Sequence, residues 1–145
     1  MTPRLMWLVP NRRNRLIAEA VMELSFVSIL RMWFSFARLS RYFGSPDAES
    51  QLEIESKNQK IAKDVGAAIG AAVRNLPFNC NCLTQAICAL RMLKRRGLSC
   101  TIYFGVTSGD FRIKEAHAWI RCGEQIITGG GGLEKYPVVF RFSNQ

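Results

Sequence analysis

Between Arg15 and Phe43 apolar residues recur so densely that they cover more than one face of a helix. Ile17, Val21, Leu24, Val27, Leu30 and Phe34 fall on one side, and Met22, Phe26, Ile29, Trp33 and Phe36 on another, with no glycine or proline before Gly44. A helix apolar nearly all round is buried, paired with a partner, or resting on a membrane. Its longest charge-free run, Leu24 to Leu30, falls short of the roughly 20 apolar residues a span requires. A buried or partner-facing helix is therefore expected, with an interfacial one as the less favoured reading.

Gly44-Ser45-Pro46-Asp47 ends that segment, and Ala48 to Lys60 is polar with mixed charge. Ile61, Val65, Ala68, Ala72 and Leu76 return to helical spacing, which predicts a second helix over 61–75. Gly66 and Gly70 on it would permit a neighbour to approach closely. Leu76-Pro77-Phe78 closes it, because the residue before a proline resists helical geometry.

The third helix is the best specified. Asn81 is a candidate N-cap, and Leu83, Ala86, Ile87, Leu90 and Leu93 form an apolar stripe. Lys94, Arg95 and Arg96 sit where the helix dipole favours cations, and Gly97 supplies the stop. The period then switches from helical to two. Leu98, Cys100, Ile102, Phe104 and Val106 alternate with Ser99, Thr101, Tyr103 and Gly105, the pattern of a half-buried strand. Thr107 to Glu115 is a polar loop. Strands are expected at 116–121, 125–128 and 138–142, the first two joined by a turn at Cys122-Gly123-Glu124. Helices followed by hairpin-connected strands predict an α+β fold with an antiparallel sheet.

Composition narrows the class. A length of 145 residues suits one domain, and 48% hydrophobic against 21% charged residues is the balance of a folded chain. The net charge of +9 invites a nucleic-acid reading. However, the clusters Arg12-Arg13-Arg15 and Lys94-Arg95-Arg96 lack interleaved aromatics or glycines for base stacking, so no nucleic-acid partner is expected. An acidic peptide or an anionic membrane surface would answer the same charge. Five cysteines are an odd number, and Leu5 to Pro10 is too short an apolar stretch for a secretory signal. These features point to a reducing, cytoplasmic compartment with free thiols. One histidine and no pair of Cys-x-x-Cys knuckles argue against a metal site. The Gly129–Gly132 run is not followed by Lys-Ser/Thr or a helix, so no phosphate-binding loop and no cofactor are expected.

Chemistry concentrates on two residues. Cys82 falls at the first turn of the best-specified helix, where unsatisfied N–H groups and the dipole favour a thiolate. The only imidazole, His117, opens the sequence His-Ala-Trp-Ile on a strand. A cysteine at a helix start facing a strand histidine is the arrangement of cysteine proteases and transglutaminases. The structural alternative is that Cys82 is a small buried hydrophobe and His117 an ordinary polar residue. Cys88 and Cys100, on apolar stripes, are expected to be packing residues.

Leu76-Pro77-Phe78-Asn79-Cys80-Asn81-Cys82-Leu83-Thr84-Gln85-Ala86 resembles the Leu-Pro-Trp-x-x-x-Cys-Leu-x-x-Ala segment of the lasso-peptide biosynthesis leader peptidases, within the transglutaminase-like superfamily. The resemblance continues through Leu93-Lys94-Arg95-Arg96-Gly97-Leu98, Gly105-Val106, His117-Ala118-Trp119-Ile120 and Thr128-Gly129-Gly130, and covers roughly residues 61–142. It implies a papain-like core over 61–145, with 1–60 an amino-terminal helical extension, the whole expected as one compact unit. It also implies Cys82 as nucleophile and His117 as base, with Cys80 at a variable position. Many members carry an aspartate about a dozen residues after the histidine. Here Gly129 stands there, and no aspartate follows His117. A neutral acceptor is therefore expected to hold the imidazole: a backbone carbonyl of the Gly-rich stretch or the Thr128 hydroxyl, with Asp110 the next candidate. Residues 1–60 lack the strands of the family's leader-binding domain.

The resemblance thus implies a protease that removes the leader from a precursor peptide, assisted by a separate leader-recognition protein and followed by an ATP-dependent lasso cyclase. A Cys-His acyltransferase and a non-catalytic binding module are the alternatives.

Overall fold

The computed structural model describes residues 11–107 and 115–144. Among the described residues, four α-helices precede most of a five-stranded sheet. They are α1 (Arg12–Trp33), α2 (Phe36–Ser40), α3 (Ser56–Asn75) and α4 (Cys82–Arg95). The strands are β1 (Ser45–Pro46), β2 (Thr101–Val106), β3 (Ala116–Cys122), β4 (Gln125–Thr128) and β5 (Val138–Ser143). They are ordered β1-β5-β2-β3-β4, every pair antiparallel. The fold is α+β.

The Asn11 side chain accepts from the Asn14 N–H at 2.8 Å and starts α1. Leu16, Ile17, Ala20, Leu24 and Val27 are buried on one face, in a single core shared with α3, α4 and the sheet. The uninterrupted helix expected over 15–43 is broken. Phe34 is extended (φ −121°, ψ 139°), and Ser35 restarts the chain by accepting from the Arg38 N–H. Aromatic packing accounts for the bend, since a straight helix would carry 36–43 away from the sheet. Instead Phe36 meets Phe104 edge-on at 5.0 Å, and Phe43 stacks on Phe104 at 5.7 Å and meets Phe142 at 5.7 Å. Phe43 is 2% exposed, a burial of about 1.5–3 kcal/mol.

Helix α3 begins at Ser56 and not at Ile61; residues 56–60 are mostly exposed and carry no apolar period to mark that first turn. Gly66 lets α3 lie against β4: a Cβ there would stand 2.9 Å from the Ile127 carbonyl oxygen. Gly70 makes no such approach, and its Cβ would meet only the Arg74 side chain at 3.4 Å.

Strand β2 departs from the expected half-burial. Thr101 and Tyr103 are as inaccessible as Ile102 beneath them, because residues 48–54 cross the second face of the sheet. Arg121, on β3 and buried, ties that crossing down. It donates to the Ser50 carbonyl at 3.0 Å, the Gly123 carbonyl at 2.6 Å and the Tyr103 hydroxyl at 3.0 Å. Ser50 N–H donates to Thr101 Oγ1 at 2.8 Å. The sheet is therefore covered on both faces there, by helices on one and by this polar strap on the other.

Candidate active site

Helix α4 opens on the sequence Asn81-Cys82. Asn81 Oδ1 accepts from the Thr84 N–H and the Thr84 hydroxyl, both at 3.0 Å, and from Arg31 of α1 at 2.6 Å. Arg31 also donates to Thr84 Oγ1 at 2.8 Å, fastening α1 to this end of α4. Asn81 is thus the N-cap its sequence position announced, and Cys82 is the first helical residue. The N–H groups of the first turn point out of the helix without intrahelical acceptors.

Cys82 is half-buried, whereas Cys80, Cys88, Cys100 and Cys122 are buried. Burial pushes the thiols of Cys88 and Cys100 up to about 12 and raises those of Cys80 and Cys122. Those four are protonated and inert at neutral pH. Cys82 Sγ instead accepts the backbone N–H of Ala118 at 3.4 Å. Strand β4 pairs with β3 only from Ile120 onward, so this N–H lies past the end of the ladder and turns to the sulfur. Such a donor binds an anionic sulfur more strongly than a neutral one.

His117 immediately precedes Ala118 on β3 and stands opposite Gly105 of β2. Its Nε2 lies 2.6 Å from the Gly129 carbonyl oxygen. A carbonyl only accepts, so Nε2 carries the proton, and in the neutral ring Nδ1 keeps the lone pair of a base. The imidazole stacks on Tyr136 at 4.8 Å and on Trp119 at 5.8 Å, and Trp119 stacks in turn on Tyr103 at 5.5 Å. Cys82 and His117 are brought to adjoining positions, with the sulfur seated on the amide next to the histidine. A direct hydrogen bond between thiol and imidazole is not formed in this conformation.

Between the two neutral acceptors expected for the imidazole, the structure uses the Gly129 carbonyl. Thr128 Oγ1 is buried without a hydrogen-bond partner, so it makes no hydrogen bond to the ring. Asp110 lies outside the described residues. Gly129 also explains why an aspartate is absent here. Its φ is +75°, and a Cβ would stand 2.5 Å from the Ala118 oxygen and 3.2 Å from His117 Nε2. The main chain occupies the place where a carboxylate would have to go.

Three further residues gave no such signal in the sequence. Tyr136 covers one face of His117, and its hydroxyl donates to Glu115 at 3.3 Å. Partial burial and then the Glu115 carboxylate push the phenol above its ordinary value. Gly105 makes this possible: a Cβ there would lie 2.8 Å from both Tyr136 Cβ and its carbonyl oxygen. A glycine inside a strand pattern signals such an approach, but nothing in the sequence says which segment comes near. Arg31 gave no local signal either, because its partners lie some fifty residues away.

A family profile described as the transglutaminase-like superfamily matches residues 20–141. The chain belongs to that superfamily. The match runs from within α1 into β5, so it takes in the helices that pack behind Cys82 as well as the strand that bears His117. No curated protein and no solved structure matches the chain. Among the described residues, no group of histidine, cysteine and carboxylate side chains could hold a metal ion, and no helix is long and apolar enough to cross a membrane.

Proposed function

We propose that this transglutaminase-like chain is a cysteine peptidase that removes the leader from a ribosomally made lasso-peptide precursor. The observation that carries the catalytic part is the contrast among the cysteines: Cys82 alone is half-exposed, at a helix N-terminus beside a histidine whose Nε2 is already engaged. In this reading Nδ1 of His117 takes the thiol proton and Sγ attacks the scissile carbonyl carbon. The developing oxyanion is received by N–H groups of the first turn of α4. The imidazolium then gives its proton to the leaving amine, which departs with the core peptide. Water, deprotonated by the same nitrogen, opens the thioester and releases the leader as a free acid. The neutral Gly129 carbonyl orients the ring but stabilises the imidazolium less than a carboxylate would. Cysteine tolerates this better than serine, because a thiol is already partly ionised near neutral pH.

The substrate rests on the resemblance of the 76–86 and 117–120 segments to the leader peptidases. With it come a separate leader-recognition protein, which would raise the local concentration of the scissile bond, and a cyclase that uses ATP. A cytoplasmic setting and the absence of a nucleic-acid partner belong to the same proposal. Superfamily membership supports a second outcome of the same acyl-enzyme, capture by an amine to give an amide in place of hydrolysis.

The deciding experiment incubates precursor with the protein and a leader-recognition partner and follows products by mass spectrometry. Cleavage in the wild type and a loss of about 10³-fold or more in Cys82→Ala are expected. Cys80→Ser and Cys122→Ser should retain activity. Full activity of Cys82→Ala would end the cysteine-peptidase reading, and an amide product with added amine would shift it to acyl transfer.

A further inference from the structure

Along the Ile87–Lys94 face of α4, the helices α1, α2 and α4 enclose a groove of about 560 Å³. Its floor is made by Phe43, Ile87 and Leu90, all buried, and its sides by Phe34 and Leu39. Every ionisable side chain that lines it, apart from the phenol of Tyr42, is a cation: Arg38, Arg41, Arg91 and Lys94. Arg91 is held by Glu23. Arg38, Arg41 and Lys94 carry no ion pair or side-chain hydrogen bond among the described residues. Lys94 contrasts with its neighbours Arg95 and Arg96, which Glu19 and Glu23 neutralise from α1. The Phe36–Phe43–Phe104–Phe142 cluster beneath keeps the floor fixed.

We infer that this groove is a docking site for an acidic amphipathic helix of a partner protein. Apolar side chains at i, i+3/i+4 and i+7 would fill the floor, and flanking carboxylates would meet Arg38, Arg41 and Lys94. Charge selects this occupant over the others. A second copy of the chain would bring its own net charge of +9 against a cationic rim. Residues 1–10 contain an arginine and no carboxylate, so they do not complement it. Phe26, Phe34 and Tyr42 project at the rim, at 44%, 41% and 76% exposure, but the apolar floor of Phe43 and Leu90, at 2% and 3%, is recessed, so an inserted helix can fill it where a flat lipid surface would meet only the rim. The groove uses the Ile87–Lys94 face of α4, beginning five residues past Cys82, about 7.5 Å along the helix axis. Cys82 itself is not among the residues that line the groove. The inference depends on the groove alone and on no step of the acyl-transfer chemistry.

Fluorescence anisotropy with the full chain tests it. The probe is a labelled synthetic helix with leucines at i, i+3/i+4 and i+7 and glutamates flanking them, and its control carries lysines in place of the glutamates. The glutamate peptide should bind at least about tenfold more tightly than the control, with affinity that falls as salt rises. The triple variant R38E/R41E/K94E should lose about tenfold or more, with the milder R38Q/R41Q/K94Q in its place should the charge reversals fail to fold. Alkylation of Cys82 should be unchanged in either, which separates failure here from failure of the catalytic proposal. Equal binding of the two peptides, no binding of either, or indifference to the substitutions would overturn the inference. So would a dimer in sedimentation, or capture of the chain by phosphatidylserine-containing vesicles that the glutamate peptide fails to reverse.

Discussion

The two ends of α4 are built from different interactions. At its C-terminal end Arg91, Arg95 and Arg96 meet Glu19 and Glu23 of α1 in a set of ion pairs. The Glu19 carboxyl is lowered to about 2, chiefly by the hydrogen bond from Arg96. Burial works to raise Glu23, but hydrogen bonds from Arg91 and Arg95 overcome it and hold that carboxyl below its usual value. At the N-terminal end the hydrogen bonds to the candidate catalytic pair come from the main chain: the Ala118 N–H to Cys82 and the Gly129 carbonyl to His117. Charge anchors one end of the helix, and neutral dipoles position the chemistry at the other. A fixed carboxylate close to Cys82 would oppose thiolate formation, while a neutral dipole holds geometry with less effect on that balance.

Three substitutions separate the two ends. The largest effect is expected from Gly129→Asp. At φ +75° with a backbone oxygen 2.5 Å from any Cβ, the loop must move and the acceptor of His117 Nε2 moves with it. Iodoacetamide labelling of Cys82 at neutral pH should slow by about tenfold or more, with about 2–3 kcal/mol of stability lost in a denaturant titration. An aspartate that left stability intact and extended the alkaline limb of labelling would show that a carboxylate can be seated there after all. A middling effect is expected from Asn81→Ala, which removes the cap of α4. About 1 kcal/mol should be lost, with slower labelling of Cys82 as the first turn frays; labelling unchanged despite that loss would show that the cap does not orient the thiol.

The smallest belongs to the other end. Because the folded carboxyl of Glu19 is depressed, its contribution is complete above about pH 4.5 and is lost as pH falls toward about 2. Glu19→Gln should flatten the fall of Tm across that window and leave Cys82 labelling untouched at pH 7. A Tm profile identical to wild type would show that the pairs contribute nothing measurable.

How much of this was legible in the sequence varies with how local its causes are. Helix α4 was readable from end to end because cap, stripe, terminal cations and Gly97 all agree. The partners of those cations were not, since Glu19 and Glu23 lie more than sixty residues away. Those same glutamates look like interruptions of an apolar helix until α4 is packed beside them. The break at Phe34–Ser35 hides inside residues of good helical character, and its reason lies in Phe104 and Phe142, far along the chain. Strand β2 showed its alternation correctly. Its burial on both faces depends on Ser50 and Arg121, which no periodicity reveals. At the candidate site, residue types and spacing singled out Cys82 and His117, and the Gly-rich stretch suggested a backbone acceptor. Tyr136 and Gly105 owe their place to a loop crossing that only three dimensions display.

The stacking of His117 on Trp119 has an optical consequence. An indole in contact with an imidazolium loses emission to it far more readily than to a neutral imidazole, so Trp119 is a built-in reporter of the protonation of that ring. Trp119, 5% exposed, is expected to emit from an apolar setting and Trp33, 78% exposed, at longer wavelength; Trp7, the third tryptophan of the sequence, lies outside the described residues. The blue component of the intrinsic fluorescence is therefore expected to respond to whatever changes the state of the His117 ring, so that the chain carries its own indicator for the group proposed as base.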